Sequence, residues 1–156
     1  MSEQGAIERR LRELGITLPP PAKPAGNYVP ATQVGAIVYL SGVGPHRAEG
    51  GYVAGTIGVD LTVEDGYEAA RLCGLVLLAN LKAAIGSFDR VVRVAKVFGM
   101  VRCQPGFGEQ PEVINGCTDL FVAVFGDAGR PARSAVGMIA LPRGIAVEIE
   151  AIVEVR

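Results

Sequence analysis

The sequence contains no tryptophan, a single histidine and only 6% aromatic residues, so there is little from which to build the stacking platforms that hold single-stranded nucleic acid. It also lacks a surplus of positive charge. With 15 Lys and Arg against 16 Asp and Glu, the formal net charge is −1, which supplies no field for neutralising phosphates. Nucleic acid is therefore not expected as a partner. Cys73, Cys103 and Cys117 are an odd number at wide spacings, with neither a CxxC pair nor the Cys/His grouping that zinc requires. They read as reduced, mostly buried thiols, and no metal is expected. No apolar run reaches the length needed to span a bilayer, and the opening Met1–Leu14 stretch carries charges where a secretory signal has an apolar core. The expectations are no membrane association and a cytoplasmic location.

Apolar residues, by contrast, are plentiful. They make up 49% of a 156-residue chain with a mean hydropathy of +0.33, more than a monomer of this size usually hides. The length suits one domain, and the apolar excess points to an oligomer.

Along the chain, Ile7, Leu11 and Leu14 have the spacing of a short amphipathic helix over residues 2–14, which Gly15 can end. Pro19, Pro20, Pro21 and Pro24 then impose an extended connector. Tyr28-Val29 and Ala36–Ser41 read as two early strands, followed by a glycine-rich loop from His46 to Gly58 with a short strand around Tyr52-Val53. Thr62 followed three positions later by Asp65 signals the start of a long helix ending at Gly86. A buried strand over Val91–Val101 and a helix over Pro111–Phe125 come next. The tail reads as a hairpin, Arg133–Leu141 paired with Ile145–Val155 around Pro142-Arg143-Gly144. This order predicts an α+β fold with helices on one face of a mixed sheet.

Two side chains stand out for chemistry. In the last strand Val147, Ile149, Ala151 and Val153 alternate with Glu148, Glu150 and Glu154, so the carboxylates share the face away from the helices, either solvated or buried between subunits. Arg133, held just after Pro131, can grip a carboxylate through two parallel hydrogen bonds or serve as a surface ion-pair partner. If the hairpin forms, Arg133 faces Val153 and lies five residues from Glu148, roughly 17 Å of strand, so a small ligand touches both only at a site shared by two chains.

The segments Pro131-Ala-Arg-Ser-Ala-Val136, Leu141-Pro142 and Val147-Glu-Ile-Glu-Ala151 resemble the C-terminal signature of the reactive intermediate (imine) deaminase family, RidA, formerly YjgF. Tyr39-Leu-Ser-Gly42, Asn80-Leu-Lys-Ala83 and Val91-Val-Arg-Val94 match in the same order, and the resemblance covers about residues 25–155. It implies a chorismate-mutase-like α+β domain over residues 25–156, preceded by a helix and Pro-rich connector over residues 1–24, in a homotrimer with clefts between neighbours. It further implies that Arg133 binds the substrate carboxylate, that Glu148 orients the attacking water, and that Tyr28, Ser41, Gly42 and Asn115 line the cleft with the backbone of Ala135. The implied reaction is hydrolysis of a 2-imino acid such as 2-aminoacrylate to a 2-keto acid and ammonia, with no cofactor. Ala135 stands where many members carry cysteine, and Val43-Gly-Pro-His46 replaces a more usual glutamine, which places the chain in a divergent, longer branch. Two other functions stay open: a non-catalytic carboxylate-binding trimer, and the ribonuclease or translation-inhibitor role attached to some relatives, which the charge balance disfavours. His46 either reaches the cleft or sits on an exposed loop.

Overall fold

Thr62 starts the longest helix as its spacing to Asp65 predicts. In the computed structural model, which describes residues 5–156, the Thr62 hydroxyl accepts the Asp65 N–H at 3.1 Å and the Asp65 carboxylate accepts the Thr62 N–H at 2.9 Å. This reciprocal cap satisfies two N–H groups that a helix start leaves open.

The described residues form α1 (Ala6–Glu13), β1 (Ala31–Val34), β2 (Ile37–Val43), α2 (Val63–Ile85), β3 (Val91–Arg102), α3 (Gln110–Phe125), β4 (Ala132–Met138) and β5 (Val147–Val155). Of the first helix expected over residues 2–14, residues 2–4 lie outside the described residues; the rest forms α1, with Gly15 at a positive φ just beyond it. Leu11 is its buried anchor, Lys82 of α2 pairs with Glu8, and the Arg10 guanidinium donates to the Ala123 carbonyl at 2.9 Å. No helix among the described residues is long and apolar enough to cross a membrane.

The strands form one mixed sheet in the order β1-β2-β5-β3-β4. Its core face carries Val38, Leu40, Val94, Val97, Val147, Ile149, Ala151 and Val153, all buried with the apolar faces of α2 and α3. Each such aliphatic side chain contributes about 1.5–3 kcal/mol when removed from water. Cys73 and Cys117 are buried, Cys103 is half-buried, all three are free thiols, and burial pushes the first two well above the ordinary thiol range.

The helices approach each other through glycine. A Cβ on Gly116 of α3 collides with the Tyr67 carbonyl of α2, and one on Gly74 of α2 comes within 2.9 Å of Leu120. Because the obstacle at Gly116 is backbone, Gly116→Ala is expected to lower unfolding free energy by about 3 kcal/mol, read from the midpoint of a urea transition at unchanged slope.

Three sequence-based expectations are corrected. Tyr28-Val29 is not a strand; the first strand begins at Ala31, after Pro30. Tyr52 and Val53 form no strand either: Tyr52 makes an isolated bridge to His46. The C-terminal hairpin is also absent, since β4 and β5 are separated by β3, which pairs parallel with β4 and antiparallel with β5. The reason is the crossover: β3, α3 and β4 make a βαβ unit that returns β4 beside β3, leaving β5 the gap between β2 and β3. Alternating strands on either side of a Pro-Arg-Gly turn look like a hairpin locally, and nothing local reveals that a third strand lies between them.

Candidate functional site

The strand β1 pairs with β2 only as far as Leu40, so the backbone of β2 from Ser41 onward has a free edge. The proline-rich connector fills it. Ser41 N–H donates to the Pro30 carbonyl at 2.9 Å and the Ser41 hydroxyl to the Val29 carbonyl at 2.6 Å, while the Ala22 N–H donates to Asn80 Oδ1 at 2.9 Å. The connector is thereby tied to both the sheet and α2, and Tyr28 stands exposed on it with its hydroxyl accepting the Ala25 N–H at 3.2 Å.

Between connector, β2 and the start of β5 lies a cavity of about 150 Å³ that includes Tyr28, Ser41, Gly42, His46 and Glu148 in its lining. A register shift between Leu40 and Val43 bulges β2 at Ser41-Gly42. The bulge brings Gly42 under Glu148: a Cβ there would lie 2.5 Å from the carboxylate Oε1. Glycine at position 42 thus leaves room for the carboxylate. Partial burial, helped by the nearby Glu150 charge, pushes the Glu148 carboxyl above its ordinary range. A carboxylate so placed is a stronger base than one in water.

Arg133 lies elsewhere, near the start of the edge strand β4. Its Nη1 donates to Asn115 Oδ1 at 2.7 Å and to Thr118 Oγ1 at 3.1 Å, both on α3 one turn apart. Those two acceptors hold one side of the guanidinium. Ala135 follows two residues along, half-buried against the core. Among the described residues, no group of His, Cys, Asp and Glu side chains is placed to hold a metal ion.

The seven residues singled out in the sequence therefore fall into two groups. Tyr28, Ser41, Gly42 and Glu148 meet at the cavity; Arg133, Asn115 and Ala135 meet at the opposite edge of the sheet. Arg133 and Ala151 both pair with Val97, whereas Glu148 and Val136 both pair with Met100. This replaces the hairpin register: the offset is three residues along and two strands across, roughly 14 Å between backbones at ordinary strand spacings. Arg133 reaches to α3 on the helix side, while Glu148 alternates with buried Val147 and Ile149 and so lies on the other face. Within one chain the two side chains point apart.

His46 lines the cavity, so of its two readings the structure favours the first. Its ring meets Tyr52 edge-on at 4.6 Å, and desolvation lowers its pKa, keeping it neutral at physiological pH. Asn80, quoted only as part of a matching segment, turns out to fasten the connector; it is 2% exposed and its Nδ2 has no partner. Lys23 and Arg143 also line the cavity and carry no sequence signal beyond their charge.

A mixed sheet with helices on one face and a cavity holding one carboxylate beneath the connector is an architecture with known relatives. The model of the family described as "YjgF/chorismate_mutase-like, putative endoribonuclease" matches residues 8–146, and the chain belongs to that family. It is 45% identical over 151 residues to Protein TCP17 of Trypanosoma cruzi, covering 96% of this chain and 94% of that one. It is 33% identical over 140 residues to the 2-iminobutanoate/2-iminopropanoate deaminase of Dermatophagoides farinae, covering 88% and 93%. The crystal structure of the protein Atu1372 with unknown function from Agrobacterium tumefaciens superposes with a TM-score of 0.86 at 46% identity, over 96% of this chain and 91% of that one. The family and the α+β fold implied by the PARSAV and VEIEA segments are thus those of this chain.

Proposed function

We propose that the chain hydrolyses 2-imino acids to 2-keto acids and ammonia, in clefts shared by neighbouring copies of a homotrimer. The observation that carries the reading is the separation of Arg133 from Glu148 onto opposite faces and different edges of one sheet, each in a prepared setting. A small acid meets both only where two copies pack together. The open face of the sheet favours such packing, since Ile37, Tyr39, Phe98, Met100 and Ile152 remain there half-buried or exposed. Similarity to proteins named as imine deaminases supports the chemistry.

In this reading Arg133 of one copy holds the substrate carboxylate through its two-pronged donor geometry and fixes the imine carbon in place. Glu148 of the neighbour, together with the Ala135 carbonyl, holds a water against that carbon. As the water oxygen bonds to C2 of the imine, already protonated on nitrogen, Glu148 takes the water's proton and the C=N electron pair passes to nitrogen, leaving a C–N single bond. Glu148 then returns its proton to the amine of the resulting carbinolamine, the C–N bond breaks, and ammonia leaves as the C=O bond forms and the hydroxyl proton passes back to the Glu148 carboxylate. One water is consumed per keto acid and ammonia released, and the chemistry calls for no cofactor.

The test is to generate an imine with an amino-acid oxidase and follow keto-acid appearance with and without the purified chain. Faster release with the chain is expected. If release is not accelerated while 2-keto acids still raise the melting temperature, the protein is a carboxylate-binding assembly and the hydrolytic reading fails.

A further inference from the structure

Arg143 is the one residue other than glycine with a positive φ among the described residues, at φ 59° and ψ 16°. That conformation strains any side chain with a Cβ, and glycine would adopt it freely. The surrounding contacts nevertheless hold it in place. The Gly144 carbonyl accepts both Arg102 Nη1 and the Gly55 N–H at 3.0 Å, and the turn closes on itself through Gly144 N–H to the Leu141 carbonyl at 3.0 Å. The turn therefore places Arg143, an exposed residue, at the rim of the cavity that also contains Glu148. An arginine standing where glycine fits better points to a use for the side chain.

The charge around the cavity agrees. Its lining carries two cations, Lys23 and Arg143, against a single carboxylate, Glu148, and His46 there is kept neutral by desolvation. Arg133, supplied by a neighbouring copy, raises the surplus to two positive charges when Glu148 is ionised. A monocarboxylate leaves one of them unmatched; a dianion matches both.

Size agrees as well. On the single chain the cavity beside Glu148 measures about 150 Å³ and opens outward, toward where a second copy would bring Arg133 and the first carboxylate. Cavities of about that size take a ligand of about six heavy atoms, far more than a methyl or ethyl group.

We infer that the site takes 2-imino and 2-oxo acids bearing a second carboxylate at the far end, with Arg143 and Lys23 as the subsite for it. This rests on the two-copy reading of Arg133 and Glu148 given above and names the substrate class of that site.

The experiment is calorimetric titration of the full-length chain with 2-oxoglutarate and with 2-oxobutanoate, in wild type, Arg143→Gly and Arg133→Ala. Wild type should bind the dicarboxylate about ten-fold tighter, as one charge-assisted contact allows. Arg143→Gly removes strain and should raise the melting temperature, so loss of folding does not confuse the result, and the preference should shrink to within about two-fold. A purely structural role for Arg143 changes the melting temperature alone and leaves the preference, which overturns the subsite. Equal affinities in wild type overturn the dicarboxylate class, and the two-copy site still stands if Arg133→Ala abolishes 2-oxobutanoate binding. If neither acid binds wild type, both readings fall.

Discussion

Arg133→Ala is expected to lower keto-acid release from 2-imino acids by about a hundred- to a thousand-fold, the scale seen when a preorganised donor to a reacting group is lost. Arg133→Lys should recover little, because an ammonium keeps the charge but not the paired donors that match a carboxylate. Glu148→Gln alone should also be nearly inactive. Co-expressed as differently tagged chains and purified through both tags, however, the two variants are expected to regain about a third of wild-type activity. A cleft is intact when one copy contributes a sound Glu148 and its neighbour a sound Arg133, which holds for about one of the three clefts in every mixed trimer. The recovery follows from the sheet: the two side chains leave it on opposite faces, so neither variant damages the half-site that the other retains. Mixed assemblies no more active than the single variants would place both groups in one chain's site, contrary to the sheet register.

The second large effect concerns Glu148 and pH. Burial and the Glu150 charge raise its folded-state pKa above that of the unfolded chain. Below the unfolded value both states hold the proton and Glu148 is neutral to stability; as pH rises through the folded value, the folded state must carry a partly desolvated carboxylate, and stability is lost. Glu148→Gln is accordingly expected to melt higher than wild type near about pH 8, with the difference vanishing near about pH 4. Its turnover, in contrast, falls by about 10²–10⁴-fold, the usual worth of a positioned general base. In wild type the rate should decline on acidification at a pH above that of an ordinary glutamate, a limb that the variant lacks. A Glu148→Gln protein that melts lower than wild type at alkaline pH would show the carboxylate to be a stabilising ion-pair partner instead. The combination of higher stability with lost activity is what separates a working carboxylate from a structural one.

How far the sequence carries depends on the range of the interactions involved. The start of α2 was legible in Thr62 and Asp65 because a capping box is closed by residues three apart. The two faces of β5 were legible in the alternation of Val147, Ile149, Ala151 and Val153 with glutamates, because a strand turns its side chains over every two residues. The connector was legible in its prolines, although not its docking on Ser41 and Asn80. Gly116 carried no sign of the Tyr67 carbonyl it admits, since that contact joins two helices separated by a long stretch of chain.

The amino-acid order by itself determined the helices and the later strands, the two faces of β5, and which residue types were available for gripping an acid. Tertiary structure alone decided that β3 lies between β4 and β5, and with it that Arg133 and Glu148 face apart, that Gly42 lies beneath a carboxylate, and that Arg143 is held under strain at the cavity wall. Periodicity and capping are set by neighbours a few residues away and are written in local order. Strand adjacency is settled by the whole chain's competition to bury apolar faces and pair backbone edges, and no short segment contains that outcome.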